Sequence, residues 1–374
     1  MASRGRAASA LVVLCSVLVL APHAAAKKPL VSAMFVFGDS LLDVGNNNHL
    51  ANCNISCQAN YPRYGIDLPC HKPTGRFSNG YNLADQLAQM LGFAESPPPF
   101  LSRLKSNASV FTGINFASGG SGLLPTTGPQ VCGQVFPMSE QVGNFTSLVG
   151  RMSGSGDWTA AAAALDLISE SLFFISAGSN DLFEYADFAV THPNTSRNDT
   201  EFLQRLIASY TGYIKDLYAA GATRFSVLSP SLVGCCPHQR RVAKDFGDVD
   251  QRGCLGTANN LSRQLYPMID SMLQDLRQEL PGMKYSLGDG IRMGEFVFNN
   301  ANFKLDHACC GEGEFGESLC NSTVPLCQNR RSYFFWDRFH PTDAASAITA
   351  TGLFSDTGRF VHPINVRQLV AQRS

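Results

Sequence analysis

Ser40, Asp337 and His340 are the residues whose types and spacing could carry out acyl transfer. Ser40 follows a short apolar run in Gly38-Asp39-Ser40-Leu41, where the glycine permits a tight turn. Asp337 precedes His340 by three residues, so its carboxylate could fix one imidazole nitrogen and leave the other to take the serine proton. Taken alone, a serine at this position more often caps a helix, and an Asp-x-x-His pair often arises by chance.

A tetrahedral intermediate of acyl transfer would also need hydrogen-bond donors for its oxyanion. Two segments could supply them. Residues 115–122 are glycine-rich, so a backbone N–H could approach a ligand closely, and Asn180 in Gly178-Ser179-Asn180-Asp181 carries a side-chain amide. Each segment by itself is also typical of an ordinary glycine turn.

An alternation of strand and helix patterns places these segments in a fold. Apolar β-branched and aromatic runs predict buried strands at residues 34–37, 172–176, 224–228 and 284–287. Apolar residues at helical spacing predict helices at 81–91, 199–220 and 255–280, and Pro341 could begin a final helix at Thr342. This alternation predicts a parallel sheet wrapped by helices, with ligands bound beyond the carboxyl ends of the strands.

The first 26 residues have the order of a secretory signal. Arg4 and Arg6 precede an apolar stretch and a small-residue run that ends at Ala26, where we expect cleavage. No linker or repeat divides the remainder, so we expect a single domain over residues 27–374 with no transmembrane segment. We expect an extracellular or cell-wall protein, with the Golgi as the alternative.

Seven Asn-x-Ser/Thr sequons fit the same compartment. They are Asn54, Asn107, Asn144, Asn194, Asn198, Asn260 and Asn321. Cys15 lies in the predicted signal, so 11 of the 12 cysteines remain, enough for five disulfides and one unpaired thiol. We expect these cysteines to staple loops, including residues 46–79, around a cleft without thiols, so that reductant lowers stability before it affects the chemistry.

Several other classes of function are not favoured. The 29 basic and 30 acidic residues form no basic run, which excludes a nucleic-acid partner. Residues 311–316 fit GxGxxG, but they are acidic and follow no predicted strand, so no dinucleotide is expected. Residues 235–238 and 307–310 combine Cys and His without zinc-like spacing, and we expect neither a metal nor a cofactor. The GxSxG elbow of ordinary α/β-hydrolases is absent from the sequence.

In order and spacing, four blocks resemble those of the plant GDSL esterase/lipase family within the SGNH hydrolases. These blocks are Gly38-Asp39-Ser40-Leu41, residues 115–120, Gly178-x-Asn180-Asp181 and Asp337-x-x-His340. Residues 35–47, 64–67 and 74–80 look like the plant branch in particular. The resemblance implies a three-layer α/β/α SGNH-hydrolase fold of flavodoxin-like type.

The resemblance also implies roles for individual residues. Ser40 would be the nucleophile, His340 the base and Asp337 its orienting carboxylate. The oxyanion donors would be the N–H groups of Ser40 and Gly120 and the side chain of Asn180. Four cysteines near the expected cleft mouth depart from the family pattern: Cys53, Cys57, Cys70 and Cys132.

We therefore predict a secreted, glycosylated, cofactor-free serine esterase that cleaves carboxylic esters through an acyl-enzyme. The ester could be an acetyl group on wall polysaccharide, an acyl lipid or a small phenolic or alkaloid ester. The near-neutral charge and the dense sequons favour a glycan or wall setting. Two alternative functions remain. One is an acyltransferase that uses the same triad, and the other is a wall-binding protein in which the site is catalytically silent.

Overall fold

A central β-sheet organises the protein. The computed structural model describes residues 28–103, 112–154, 158–300 and 302–372. The strands are β1 Met34–Gly38, β2 Gly113–Asn115, β3 Leu172–Ser176, β4 Arg224–Leu228, β5 Lys284–Gly288, β6 Lys304–Ala308, β7 Tyr333–Phe335 and β8 Val361–His362. Six of them form one sheet in the order β2-β1-β3-β4-β5-β8, and β6 pairs with β7 separately.

The four strands predicted from the sequence are confirmed as β1, β3, β4 and β5. The sheet is parallel from β2 to β5, as expected, but β8 pairs with β5 in the antiparallel direction. A strand of two residues is too short to have a periodic pattern, so this edge strand could not be predicted from the sequence. The order from β2 to β5 is that of flavodoxin-like folds.

Helices cover both faces of the sheet. They are α1 Leu83–Met90, α2 Phe100–Arg103, α3 Pro129–Cys132, α4 Met138–Ser153, α5 Trp158–Ser169, α6 Ser179–Thr191, α7 Asp199–Ala219, α8 Pro237–Phe246, α9 Gly256–Glu279, α10 Gly290–Asn300, α11 Asp343–Ser355 and α12 Val366–Ala371. The three helices predicted from periodicity are confirmed as α1, α7 and α9. Thr342 caps α11 by accepting a hydrogen bond from the Ala345 N–H, but α12 follows, so α11 is not the final helix.

Alternate residues of β1 show how the sheet separates two cores. Phe35 and Phe37 lie in one hydrophobic cluster, which includes Phe145 of α4 and residues of α7 and α9. Met34 and Val36 lie in the opposite cluster, with residues of α1, α11 and α12. Because both faces of the strand are buried, its sequence is continuously apolar rather than alternating. The expected three-layer α/β/α fold is confirmed.

Four disulfides cross-link the loops. They are Cys57–Cys132, Cys235–Cys254, Cys309–Cys327 and Cys310–Cys320. The first joins the long 46–79 loop to α3, which confirms that this loop is stapled. Three cysteines in the described part of the chain are free, Cys53, Cys70 and Cys236, instead of the single unpaired thiol expected. A count of cysteines fixes only whether the number of free thiols is odd or even.

The predicted signal at residues 1–26 and the sequon at Asn107 lie outside the described residues. Within the described residues, no helix is both long enough and apolar enough to cross a membrane.

Candidate active site

Ser40, His340 and Asp337 meet in one chain of hydrogen bonds. Ser40 lies two residues after β1, and His340 follows β7, 300 residues later in the chain. The distance from His340 Nε2 to Ser40 Oγ is 2.8 Å, and the distances from His340 Nδ1 to the two carboxylate oxygens of Asp337 are 2.8 and 2.9 Å. The three residues expected to form a triad are therefore in contact.

The surroundings of Asp337 keep its buried carboxylate ionised. Burial alone would raise the pKa of Asp337, but the charge and hydrogen bond of His340, the Phe339 N–H and the Tyr64 hydroxyl together lower it to about 2. Tyr64 Oη donates to Asp337 Oδ2 over 2.7 Å. Since an ionised carboxylate can only accept, His340 Nδ1 carries a proton, and Nε2 is free to accept one from Ser40.

Tyr64 was not identified as a functional residue from the sequence. Its segment, residues 64–67, was noted only as similar to the plant branch. Burial and the negative charge of Asp337 raise the pKa of Tyr64 well above its ordinary value, so the phenol stays protonated and remains a donor.

The two other candidate oxyanion donors follow the strands next to β1. Gly120 comes after β2, and Asn180 is in the first turn of α6, just after β3. Both line the same cavity as Ser40 and His340. One hydrogen of the Asn180 amide is donated to Ser121 O over 2.9 Å, which leaves the second hydrogen for a ligand. The carboxyl ends of three neighbouring parallel strands thus bring the predicted residues to one edge of the sheet.

Buried polar side chains hold the segment that contains Gly120. Asp43 accepts the Gly119 N–H over 3.0 Å, and Asn47 donates to Gly119 O over 2.8 Å. On the other side, Asp181 accepts the N–H groups of Leu123 and Leu124 and the hydroxyl of Thr127. Asp43 lies within the 35–47 segment and Asp181 within the Gly178-x-Asn180-Asp181 block, but neither spacing predicts these contacts, because they join residues far apart in the chain.

A cavity of about 440 Å³ opens beside Ser40. This volume is within the range of small-molecule sites. Beyond the triad its wall includes the apolar side chains Leu228, Met293, Val297, Phe334 and Phe335. The cavity therefore has polar side chains at the edge where Ser40 and His340 lie and apolar side chains in its interior.

A family model described as GDSL-like lipase/acylhydrolase matches residues 34–353. The chain belongs to this GDSL family. Two relatives from Arabidopsis thaliana, each named a GDSL esterase/lipase, are similar over most of both chains. One is 36% identical over 91% of this chain and 90% of its own length, and the other is 32% identical over 96% and 98%. The predicted family and the predicted class, an ester hydrolase of GDSL type, are confirmed.

The expectation of a cleft without thiols is wrong for this GDSL hydrolase. Cys236 is buried, is not part of a disulfide and lines the cavity. Both half-cystines of the Cys57–Cys132 disulfide line it as well. Burial raises the pKa of Cys236 to about 12, so its thiol is protonated and poorly nucleophilic at neutral pH. The sequence could not show which member of the Cys235-Cys236 pair forms a disulfide with Cys254.

The cysteines of the two Cys/His segments are mostly paired as disulfides in the GDSL hydrolase. Cys235, Cys309 and Cys310 each belong to one of the four bridges. Among the described residues, no group of three or more His, Cys, Asp or Glu side chains could hold a metal ion.

Asp39, the residue before Ser40 in this GDSL hydrolase, is fully buried. Its Oδ1 accepts the Leu41 N–H, while Oδ2 has no hydrogen-bond partner among the described residues. Burial raises the pKa of Asp39 to about 7, although the Leu41 N–H and the charge of His340 lower it in part. Burial also raises the pKa values of Asp43 and Asp181 to about 6.

The six described sequons of the GDSL hydrolase differ in how far they reach solvent. The asparagines that are exposed are Asn54, Asn194, Asn198 and Asn260, and those that are half-buried are Asn144 and Asn321. Within the exposed group, the Asn54 amide donates to Val131 O and the Asn198 amide donates to Glu201.

Proposed function

We propose that this protein is a secreted serine esterase that hydrolyses carboxylic esters through an acyl-enzyme. The observation that carries the proposal is the continuous hydrogen-bonded chain from Ser40 through His340 to the ionised Asp337. A serine with an adjacent base, which a third group orients, is the arrangement of nucleophilic acyl transfer.

Each step can be assigned to an atom at the site. Ser40 Oγ attacks the ester carbonyl carbon while its proton passes to His340 Nε2, and Asp337 stabilises the imidazolium that forms. The oxyanion accepts hydrogen bonds from the N–H groups of Ser40 and Gly120 and from the free hydrogen of Asn180 Nδ2. The proton on Nε2 then passes to the leaving alcohol.

Deacylation repeats these steps with water. His340 Nε2 takes a proton from a water molecule as it attacks the acyl carbon, and the same proton returns to Ser40 Oγ as the acid leaves.

The apolar cavity supports an ester with an acyl chain of several carbons. An acetyl group is too short to fill the part of the cavity that Met293, Val297 and Phe334 line, whereas a longer acyl chain would pack against these side chains. Each buried methylene contributes about 0.8 kcal/mol, which corresponds to roughly fourfold in kcat/KM. We therefore favour an ester with an acyl chain of several carbons over an acetylated polysaccharide, which the charge and the sequons favoured.

The proposed setting is the secretory pathway, with residues 1–26 as its signal and residues 27–374 as one hydrolase domain. Four disulfides and the exposed sequons support an oxidising compartment. The catalytically silent alternative has less support, because the contacts of Ser40, His340 and Asp337 are all in place.

A fluorophosphonate probe tests the proposal directly. Wild type should be labelled and Ser40→Ala should not, while Ser179→Ala, which removes another hydroxyl that lines the cavity, should still be labelled. Absence of labelling in folded wild type, or equal labelling of Ser40→Ala, would refute the proposed nucleophile.

Substrate class requires a second measurement. p-Nitrophenyl esters from acetate to dodecanoate should show kcat/KM rising with chain length until the cavity is full, with acetylated xylan a poor substrate. A preference for acetate would refute the role of the apolar cavity. Product analysis in the presence of an added alcohol distinguishes hydrolysis from acyl transfer.

A further inference from the structure

The Cys57–Cys132 disulfide packs against Gly120. A β-carbon built on Gly120 would lie 2.6 Å from Cys132 Sγ, so the sulfur occupies the space where any other residue would place its side chain. Gly120 also has a φ of +83°, which favours glycine. Both half-cystines line the active-site cavity. The disulfide therefore packs against one side of the peptide that carries the Gly120 N–H.

A second connection joins the other half of the disulfide to the same segment. The Asn47 side-chain amide donates to Cys57 O over 2.6 Å and to Gly119 O over 2.8 Å. Cys132 thus contacts Gly120 through its sulfur, and Cys57 is tied to Gly119 through Asn47. Each of the two glycines is thus connected to one half-cystine, Gly120 directly and Gly119 through Asn47.

Glycines are the residues least able to hold this segment in place by themselves. Residues 119 and 120 have no side chains with which to pack, and glycine has the widest conformational freedom of any residue. An oxyanion donor must point at the position where charge develops, so its direction must be imposed by neighbouring groups. Against Gly120, the nearest such group is the Cys132 sulfur, and the Val135 side chain lies next to it.

We propose that the Cys57–Cys132 disulfide is a positioning element of the oxyanion hole, which directs the Gly120 N–H toward the tetrahedral intermediate. The inference rests on the proposed function, in which this N–H is a donor. It reverses the expectation that loss of disulfides affects stability before chemistry, since this bridge contacts a group that binds the reacting oxygen.

Other contacts hold the two loops together when the bridge is absent. The Asn54 N–H donates to Cys132 O over 2.8 Å, and the Gln134 N–H donates to Asn52 O over 3.0 Å. The Asn54 side chain also donates to Val131 O. We therefore expect a variant without the disulfide to fold with α3 still near the 46–79 loop. Asn47 still binds Gly119 O in that variant, but the Gly120 peptide is no longer packed against a sulfur atom on its other side.

Cys53 must be considered in the design of the test. It lies beside the bridge, packs in the same cluster as Cys57 and Cys132, and pairs with Gly133 through an isolated β-bridge. Burial, with the charge of Asp43, raises the pKa of Cys53 to about 11, so in the native protein it is a poor nucleophile toward the disulfide. Once the bridge is reduced, Cys53 could pair with either half-cystine and replace the native bond. All the variants and the reduction test therefore use a Cys53→Ser background.

The experiment compares two double variants in that background. Cys57→Ala/Cys132→Ala removes the proposed positioning element, and Cys235→Ala/Cys254→Ala removes a buried disulfide that does not line the cavity. Loss of a whole oxyanion donor lowers kcat about 100- to 1000-fold. For a donor that is misdirected rather than lost, we expect kcat to fall roughly 10- to 100-fold in the first variant, with KM changed by less than about threefold.

A transition-state analogue separates positioning from general loosening. A trifluoromethyl ketone forms a tetrahedral adduct with serine, so its oxygen would occupy the oxyanion hole. Its inhibition constant should rise by the same factor as kcat falls in the Cys57→Ala/Cys132→Ala variant, and should stay near the parent value in the Cys235→Ala/Cys254→Ala variant. Melting temperatures of both variants report their loss of stability independently.

Reduction of the native bridge provides a test that does not depend on folding of a variant without the half-cystines. A dithiol reductant supplies two electrons and two protons, breaks the sulfur–sulfur bond and leaves two thiols, which mass spectrometry locates. The rate of fluorophosphonate labelling should fall in step with reduction of Cys57–Cys132.

Three results would overturn the inference. They are a kcat for Cys57→Ala/Cys132→Ala within twofold of the parent, equal losses of kcat in the two double variants, or unchanged labelling after reduction of the bridge. Failure of the proposed function would look different, since the Cys53→Ser parent itself would then show no esterase activity and no labelling.

Discussion

Asp39→Asn should stabilise the protein at neutral and alkaline pH and leave its stability nearly unchanged in acid. Asp39 is fully buried, its pKa is raised from 3.8 to about 7, and its Oδ2 has no hydrogen-bond partner among the described residues. Ionisation of this carboxyl is therefore costly in the folded state but not in the unfolded state.

The sign and the size follow from proton linkage. A carboxyl whose folded pKa is raised binds more protons in the folded state, so its contribution to stability is fully present below about pH 4. It is lost as the pH rises through about 7. A shift of about three units corresponds to a free energy of unfolding on the order of 4 kcal/mol at most. Asparagine has nearly the same shape and no charge, so the variant avoids this loss while its Oδ1 can still accept the Leu41 N–H.

The assay is urea unfolding of wild type and variant at pH 3.5, 6 and 8. We expect nearly equal stabilities at pH 3.5, below the unfolded pKa of 3.8, and an advantage of about 2 to 4 kcal/mol for Asp39→Asn at pH 8. The advantage can fall short of the full value because the unpartnered amide hydrogens retain some of the burial cost. Asp275→Asn, an exposed carboxyl on α9, controls for the loss of one negative charge. A difference between wild type and Asp39→Asn that does not change with pH would refute the argument.

Three further substitutions test the catalytic contacts and the cavity. Asp337→Asn should lower kcat about 10⁴-fold, because an amide can donate to His340 Nδ1 and so favour the tautomer that is protonated on Nε2. Steady-state hydrolysis measures the loss, and a loss of less than tenfold would contradict this role of Asp337. Tyr64→Phe removes one hydrogen bond to the ionised Asp337, so the pKa of Asp337 should rise from about 2. The stability that Asp337 contributes above pH 4 should then fall by about 1.5 to 2.5 kcal/mol, as urea unfolding at pH 7 would show. The value of kcat should fall far less than in Asp337→Asn. Val297→Phe fills part of the apolar cavity, so kcat/KM for octanoate should drop at least tenfold while that for acetate stays within twofold. Equal losses for both esters would argue against an acyl-chain site.

Local patterns predicted the central strands and long helices well. The strand at 172–176 is buried on both faces, so its apolar run has the same bounds in sequence and structure. The helices at 199–219 and 256–279 are long enough for their periodicity to be clear. β2 has three residues and β8 has two, and neither gives a pattern of its own.

The proposed catalytic residues could be selected from the sequence because the order of motifs is visible there, whereas the residues that support them could not. Tyr64 contacts Asp337 across 273 positions, and Asp43 holds Gly119 across 76. These contacts depend on how loops pack, and no local spacing encodes them. The contact of the Cys57–Cys132 bridge with Gly120 and the apolar wall of the cavity also depend on tertiary packing, so they could not be predicted from local spacing either.

The separation of Ser40 and His340 has a consequence for biosynthesis. The proposed nucleophile, Ser40, emerges from the ribosome early, just after the first strand of the sheet, and its proposed base, His340, follows 300 residues later. A nascent chain can therefore form the strand-to-turn segment around Ser40 without any capacity to activate the hydroxyl. Enzymatic competence should appear in one step near the end of translation, and a chain released early should be inert toward esters in the compartment where it folds.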